Sequence, residues 1–233
     1  MVEIVSTYNE EVDRQIGGGL PLPMMMIIEG DNGTGKSALS AQFIWGLLKK
    51  GMKVLLITDN TVKNYIEKMK IITYDFTKFF LYNQFRIIPM YAFGASWSKE
   101  QSKLLLPILS RYISANSNEY DAVFIDSLSL LCMYANTDSI LNFFTKCKHL
   151  VSNGTSLFMT LHESIIPQDI SLQIKSTCDG YIKLNAARVA GREVKVSNII
   201  KYAGASSQVS NQFSFDVDTL FGIKIVPLSM ANG

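Results

Sequence analysis

The run Gly30-Asp31-Asn32-Gly33-Thr34-Gly35-Lys36-Ser37 constrains this chain more than any other feature. It matches the Walker A pattern G-x-x-x-x-G-K-[ST] without departure, and that pattern has meaning only between a strand and the start of a helix. Glycines let the backbone turn tightly and approach phosphate oxygens with no Cβ in the way. Successive N–H groups then form an anion-binding concavity, and the new helix turns its positive end toward it. In such a loop Lys36 sets a cation beside the β- and γ-phosphates, and the Ser37 hydroxyl ligates Mg2+. All eight residues, Gly30 to Ser37, are therefore expected to bind ATP with magnesium. A chance glycine-rich turn is the competing explanation, and the flanks argue against it. Met24–Glu29 is a nearly continuous apolar run, as in a parallel strand covered on both faces. Ser37–Lys50 puts Leu39, Phe43, Leu47 and Leu48 on one helical face, and Gly51 ends it.

The pattern then repeats. Val54–Thr58 reads as a strand and Val62–Ile72 as a helix. Phe85–Tyr91 reads as a strand weakened by Pro89, and Lys99–Ala115 as a helix. Asp121–Asp126 is a strand, Asp138–Ser152 a helix and Ser156–Leu161 a strand. This alternation predicts an α/β fold with a mainly parallel sheet flanked by helices. After about Asp179 short strands follow one another: Gly180–Ala186, Glu193–Tyr202, Gln212–Phe215 and Gly222–Val226. They are expected as antiparallel strands at the C-terminal edge of the sheet, with a hairpin turn over Ala187–Arg192. Met1–Gly19, ending in three glycines, reads as a turn-rich lead into the first strand.

Composition narrows the classes. With 233 residues the chain is expected to be a single domain over positions 1–233. Hydrophobic residues at 48% against 18% charged argue for a buried core rather than disorder. The net charge of +2, with no long basic run, gives no compositional argument for tight nucleic-acid binding. Cys132, Cys147 and Cys178 form no C-x-x-C pair, so neither a disulfide framework nor a zinc site is expected, and a reducing cytosol fits. No segment reaches the roughly 18–20 apolar residues of a membrane span, and no signal peptide is legible. Any membrane contact is expected to pass through a partner.

The second motif is Ala122-Val123-Phe124-Ile125-Asp126-Ser127: four apolar residues ending in an acid, as in a Walker B strand. A carboxylate at that strand end can hold Mg2+ directly or through water. Asp126 is thus the second metal-ligand candidate beside Ser37, with a turn or helix-capping role as the bland alternative.

These motifs and three further segments resemble RecA-like ATPases of the KaiC and RadA type. Gly17-Gly18-Gly19-Leu20-Pro21 resembles the GG-[IL]-P segment that precedes their P-loop, with Asp13 where an acid is common. Ile125-Asp126-Ser127 resembles their Walker B ending. Lys201-Tyr202-Ala203-Gly204 resembles their K-x-R-G segment, and the likeness runs from about Ser6 to Val226. Within that group a chain of this size is most similar to the accessory ATPases of the archaeal archaellum (flagellar) motor. The resemblance implies a RecA-like P-loop core and a cytosolic, homo-oligomeric subunit, expected as a hexameric ring. It implies partnership with the motor ATPase and the ring proteins of the membrane platform. It also implies that Lys201 reaches the γ-phosphate of the neighbouring subunit. The alternative from another class is a recombination or repair ATPase acting on DNA.

Two departures bear on catalysis. The family's T-x-E-E run after the second strand corresponds to Thr58-Asp59-Asn60-Thr61, so Asn60 and Thr61 replace both glutamates. Asn60 cannot take a proton, which removes general-base assistance typically worth roughly 10²–10⁴-fold. Asp59 is expected to face the other side of the extended strand. Ala203 stands in place of the arginine of K-x-R-G. Catalytic residues are therefore left unassigned, and weak or absent hydrolysis is expected. His162 or Glu163, after the strand Ser156–Leu161, could sense a γ-phosphate, and Glu163 is the other acid to which a rescue of hydrolysis can be assigned. Ser164–Ser176 falls where recombinases carry a DNA-binding loop, yet Lys175 is its only basic residue, so nucleic acid is not expected. The aromatic cluster Phe76, Phe79, Phe80, Tyr82 and Phe85 reads as core or interface packing rather than a stacking platform.

Overall fold

The computed structural model describes residues 2–90, 99–163, 165–166, 168–189 and 192–227. Strands β3 (Met25–Gly30), β4 (Val54–Thr58), β5 (Phe85–Pro89), β6 (Ala122–Asp126) and β7 (Ser156–Leu161) alternate with helices: α2 (Lys36–Lys49), then α3 (Val62–Ile71) with the short α4 (Thr77–Leu81), then α5 (Lys99–Asn116), then the short α6 (Ser129–Cys132) with α7 (Thr137–Ser152). Strands β8 (Gly180–Val189), β9 (Arg192–Tyr202), β10 (Gln212–Asp218) and β11 (Gly222–Val226) complete a sheet of order β11-β10-β9-β8-β3-β7-β6-β4-β5 among the described residues. This is the expected α/β arrangement, and β9, β10 and β11 are the antiparallel edge that the sequence predicts. The first C-terminal strand differs from that expectation: β8 runs parallel to β3, so the antiparallel addition begins at β9. Tyr91 and the hairpin tip at 190–191 lie outside the described residues.

Coverage of both sheet faces explains the continuous apolar runs. Along β4, Val54 and Leu56 point into one core and Leu55 and Ile57 into the other. In β6, Ala122 and Phe124 are separated in the same way from Val123 and Ile125. Helices α2 and α3 cover the first face, with Phe43 and Tyr65 buried in it. On the second lie α5, α7 and α8 (Gln168–Thr177), contributing Ile113, Phe143 and Ile174. Phe124 and Phe158 stack at 4.4 Å between ring centroids in the first core. Phe76 and Phe85 are buried and Phe79 and Phe80 pack against that core, whereas Tyr82 is exposed.

The amino-terminal segment holds more structure than a turn-rich lead. Strands β1 (Glu3–Val5) and β2 (Leu20–Leu22) pair antiparallel, and α1 (Glu10–Gln15) lies between them. Asp13 holds the turn into α1, accepting from Thr7 N at 2.9 Å and from the Thr7 and Ser6 hydroxyls at 2.7 and 2.6 Å. Helix α1 also closes the β11 edge: Asn9 Nδ2 donates to Ile223 O at 2.7 Å, and Ile225 N donates to Glu11 Oε2 at 3.1 Å. Both backbone groups are thereby withheld from edge-to-edge pairing.

This segment lies directly on α2, which explains why that helix is buried on more than one face. A Cβ on Gly46 would sit 2.6 Å from Ser6 O and Thr7 Cα, both backbone atoms that cannot swing away. Gly46→Ala gains up to about 1 kcal/mol of helix propensity. The expected net result is nonetheless a loss of about 1–3 kcal/mol from overpacking. A lower urea midpoint with an unchanged slope is the readout.

Candidate functional site

The P-loop leaves the carboxyl end of β3 and opens into α2, where ligands sit in open α/β sheets. The chain then crosses β7 and β6 to reach β4, so the ends of β4 and β6 flank the loop on one side. A cavity of about 370 Å³ occupies this edge. Asn32, Gly33, Gly35, Lys36, Ser37 and Asp126 line it together with Asp59, Asn60, Ser127 and His162. From the other side of β3, Lys195 of β9 and Val217 of β10 also reach it.

Gly30, Asp31 and Thr34 form the frame behind the lining. A Cβ on Gly30 would lie 2.5 Å from Leu184 O and 2.7 Å from Thr34 Oγ1, so the tight passage against β8 requires glycine. Thr34 Oγ1 donates to Asp31 O at 2.8 Å. The Lys36 ammonium is folded into the loop, donating to Gly30 O at 2.7 Å and Asp31 O at 2.8 Å, with His162 Nδ1 at 3.4 Å. Burial lowers the Lys36 pKa, opposed by the charges of Asp126, Asp31 and Glu163. Burial and then the Lys36 charge lower that of His162.

Asp126 ends β6, and its buried Oδ1 accepts from Thr160 Oγ1 at 2.6 Å, which fixes the carboxylate's orientation. One buried carboxylate and one serine hydroxyl, lining the same cavity, are a hard oxygen donor set with room for phosphate. Mg2+ is characteristically held by one or two carboxylates plus substrate phosphates.

Asp59 corrects the sequence expectation. It lines the cavity beside Asn60 rather than facing away, because β4 ends at Thr58 and the period of two ends with it. Asn60 Nδ2 donates to Asp59 Oδ1 at 2.8 Å, and Lys68 Nζ donates to Asn60 Oδ1 at 2.8 Å. Burial and then the Asp126 charge raise the Asp59 pKa. Thr61 takes no part in the cavity; its Oγ1 accepts from Asn64 N at 3.2 Å and caps α3. Glu163 pairs with Lys183 at 3.2 Å outside the lining, so Asp59 is the second cavity acid instead.

Lys201 lies elsewhere. Its ammonium donates to Ser176 O at 2.7 Å, at the carboxyl end of α8, and it does not line this cavity. The segments carrying the outer resemblance do meet: Tyr202 Oη donates to Gly19 O at 2.8 Å, and Ser206 N and Ser207 N donate to Gly17 O, both at 3.1 Å. Lys195 and Val217 had no signal in the sequence, since only strand register brings them to the P-loop.

The family model described as "ATPase: KaiC" matches residues 5–230, nearly the whole chain. The chain belongs to the KaiC ATPase family. Within that family, it is 38% identical over 229 residues to the archaeal flagellar ATP-binding protein FlaH of Sulfolobus acidocaldarius, covering 98% of this chain and 99% of that one. The crystal structure of the flagellar accessory protein FlaH from Methanocaldococcus jannaschii superimposes with a TM-score of 0.84 at 23% identity, covering 97% of this chain and all of that one. A KaiC-like protein from Pyrococcus horikoshii, PH0186, gives 0.75 at 20% identity, again over 97% of this chain and all of the other. Both likenesses carry the KaiC-family fold.

Proposed function

We propose that this chain is an ATP·Mg-binding regulatory or scaffolding subunit of the archaellum motor that forms a ring and hydrolyses ATP slowly or not at all. The observation that carries the reading is one cavity that joins an intact P-loop and an oriented Asp126 to an amide, Asn60, where the family has a glutamate. The relative named archaeal flagellar ATP-binding protein supports the motor assignment.

In this reading the amides of Asp31 to Lys36 cradle the phosphates. Lys36 would exchange its bonds to Gly30 O and Asp31 O for phosphate oxygens, with His162 beside it at 3.4 Å. Ser37 and Asp126 would hold Mg2+, which when bound supplies charge neutralisation to the phosphates. Asn60 donates through its amide and cannot receive a proton. The homo-oligomer, expected as a hexamer, would place Lys201 at a neighbour's γ-phosphate without the arginine that Ala203 replaces. Partners are the motor ATPase and the platform ring proteins, and the location is the cytoplasmic face of the membrane. No helix among the described residues is long and apolar enough to cross a membrane.

Asp126→Asn tests the metal half of the proposal. Mg2+ should tighten ATP binding to the unsubstituted protein by about tenfold or more, and the variant should lose that gain, as removal of a charged ligand predicts. Calorimetric titration with and without magnesium reads both, and an undiminished magnesium effect in the variant would remove Asp126 from the site. A DNA-acting role has less support. Lys175, the one basic residue of the segment after His162, is tied down by Glu29 at 2.9 Å and lies over the Tyr181 ring.

A further inference from the structure

The geometry points to Lys195 as a second cationic ligand of the nucleotide, on the α-phosphate that ATP and ADP share. The inference rests on the P-loop reading and adds to it a residue from β9, 159 positions beyond Lys36 in the chain.

Three observations carry it. Lys195 lines the P-loop cavity, and its side chain is only 17% exposed. Its stem lies on the loop itself: a Cβ built on Gly35 would be 3.3 Å from Lys195 Cγ and 3.1 Å from the Phe215 ring, the cross-strand neighbour of Lys195. Its ammonium is loosely held, 3.8 Å from Glu193 Oε1 and 3.8 Å from Asp216 Oδ1. Charge-assisted hydrogen bonds close to about 2.7–2.9 Å, so these contacts leave the donors available. Both carboxylates are more than half exposed and can turn to water when a phosphate takes their place.

Topology assigns the contact to one end of the ligand. Asp126 and Asp59 flank the loop from β6 and the end of β4, on one side of β3, and there the metal and the γ-phosphate belong. Lys195 and Val217 approach from β9 and β10 on the other side, where the α-phosphate and nucleoside must leave the cradle. A cation there acts on ADP as strongly as on ATP, unlike a group such as His162 at the γ end.

The test is calorimetric titration of ADP and of ATP, each with magnesium, into the full chain and three variants. Lys195→Met keeps the stem on Gly35 and removes the charge; Lys195→Arg restores a charge; Lys36→Ala is the control. Lys195→Met should weaken ADP and ATP alike, by about tenfold each, as loss of one charge-assisted bond predicts. Lys195→Arg should stay within about threefold of the unsubstituted protein, since guanidinium also donates to phosphate. Should the methionine variant fail to fold by thermal melting, Lys195→Gln takes its place with the same expectation. Unchanged ADP affinity in the charge-removed variant, or a loss confined to ATP, overturns the assignment. If Lys36→Ala abolishes binding while Lys195→Met does not, the P-loop reading stands and Lys195 falls. If the unsubstituted protein binds neither nucleotide, both fall.

Discussion

Lys36→Ala is expected to abolish measurable ATP binding, a loss of about 100-fold or more for the removal of a charged ligand from a partly buried phosphate site. Lys36 is buried at the root of α2, and its ammonium spans the loop to Gly30 O and Asp31 O. Alanine therefore deletes both the cation that meets the phosphates and the strut that shapes the loop. Assembly with the motor ATPase should weaken in step if bound ATP is the assembly signal. Fluorescence titration with a labelled ATP reads the first effect, and co-sedimentation with the motor ATPase reads the second. Unchanged ATP affinity would remove the P-loop assignment.

Asn60→Glu is expected to act in the opposite direction, raising turnover by about 10²-fold, the low end of what a positioned general base contributes. The introduced carboxylate would stand in the cavity with Lys68 within reach, since Lys68 Nζ already donates to Asn60 Oδ1 at 2.8 Å. That cation holds the new acid ionised despite Asp59 next to it. ATP affinity should change little, because the phosphate cradle and Asp126 are untouched. Phosphate release under multiple turnover is the measurement. Turnover that stays flat would shift the catalytic deficit from Asn60 to Ala203, and the paired variant Asn60→Glu with Ala203→Arg would then decide between them. Asp59→Asn in the natural background should erase whatever slow turnover exists, since Asp59 is the remaining cavity acid not assigned to magnesium.

What the sequence disclosed follows from which interactions are local. The P-loop was legible because phosphate binding needs particular residues at adjacent positions. Strands β4, β6 and β7 were legible because burial on both faces leaves unbroken apolar runs closed by turn residues. Strands β1 and β2 were hidden because three residues carry no usable period, and their pairing joins Glu3 to Leu22 across the length of α1. Helix α8 carries little sequence signal because Gln, Ser and Thr interrupt it, although Ile170 and Ile174 share its buried face. Strand alternation does not extend to Asp59, because the ladder to β6 ends at Thr58. Lys195 is the extreme case: its place over Gly35 depends on the β9–β10 register and on the packing of that hairpin against α2. Nothing near it in the sequence encodes that contact.

The central claim is a site that grips a triphosphate without the means to cut it quickly. Its most direct test is to purify the protein, identify the nucleotide it retains, and follow phosphate release with excess ATP and magnesium. The account predicts intact ATP in the released fraction and turnover slower than about one per second, the low end of ordinary enzymes. Retained ADP together with faster turnover would contradict it.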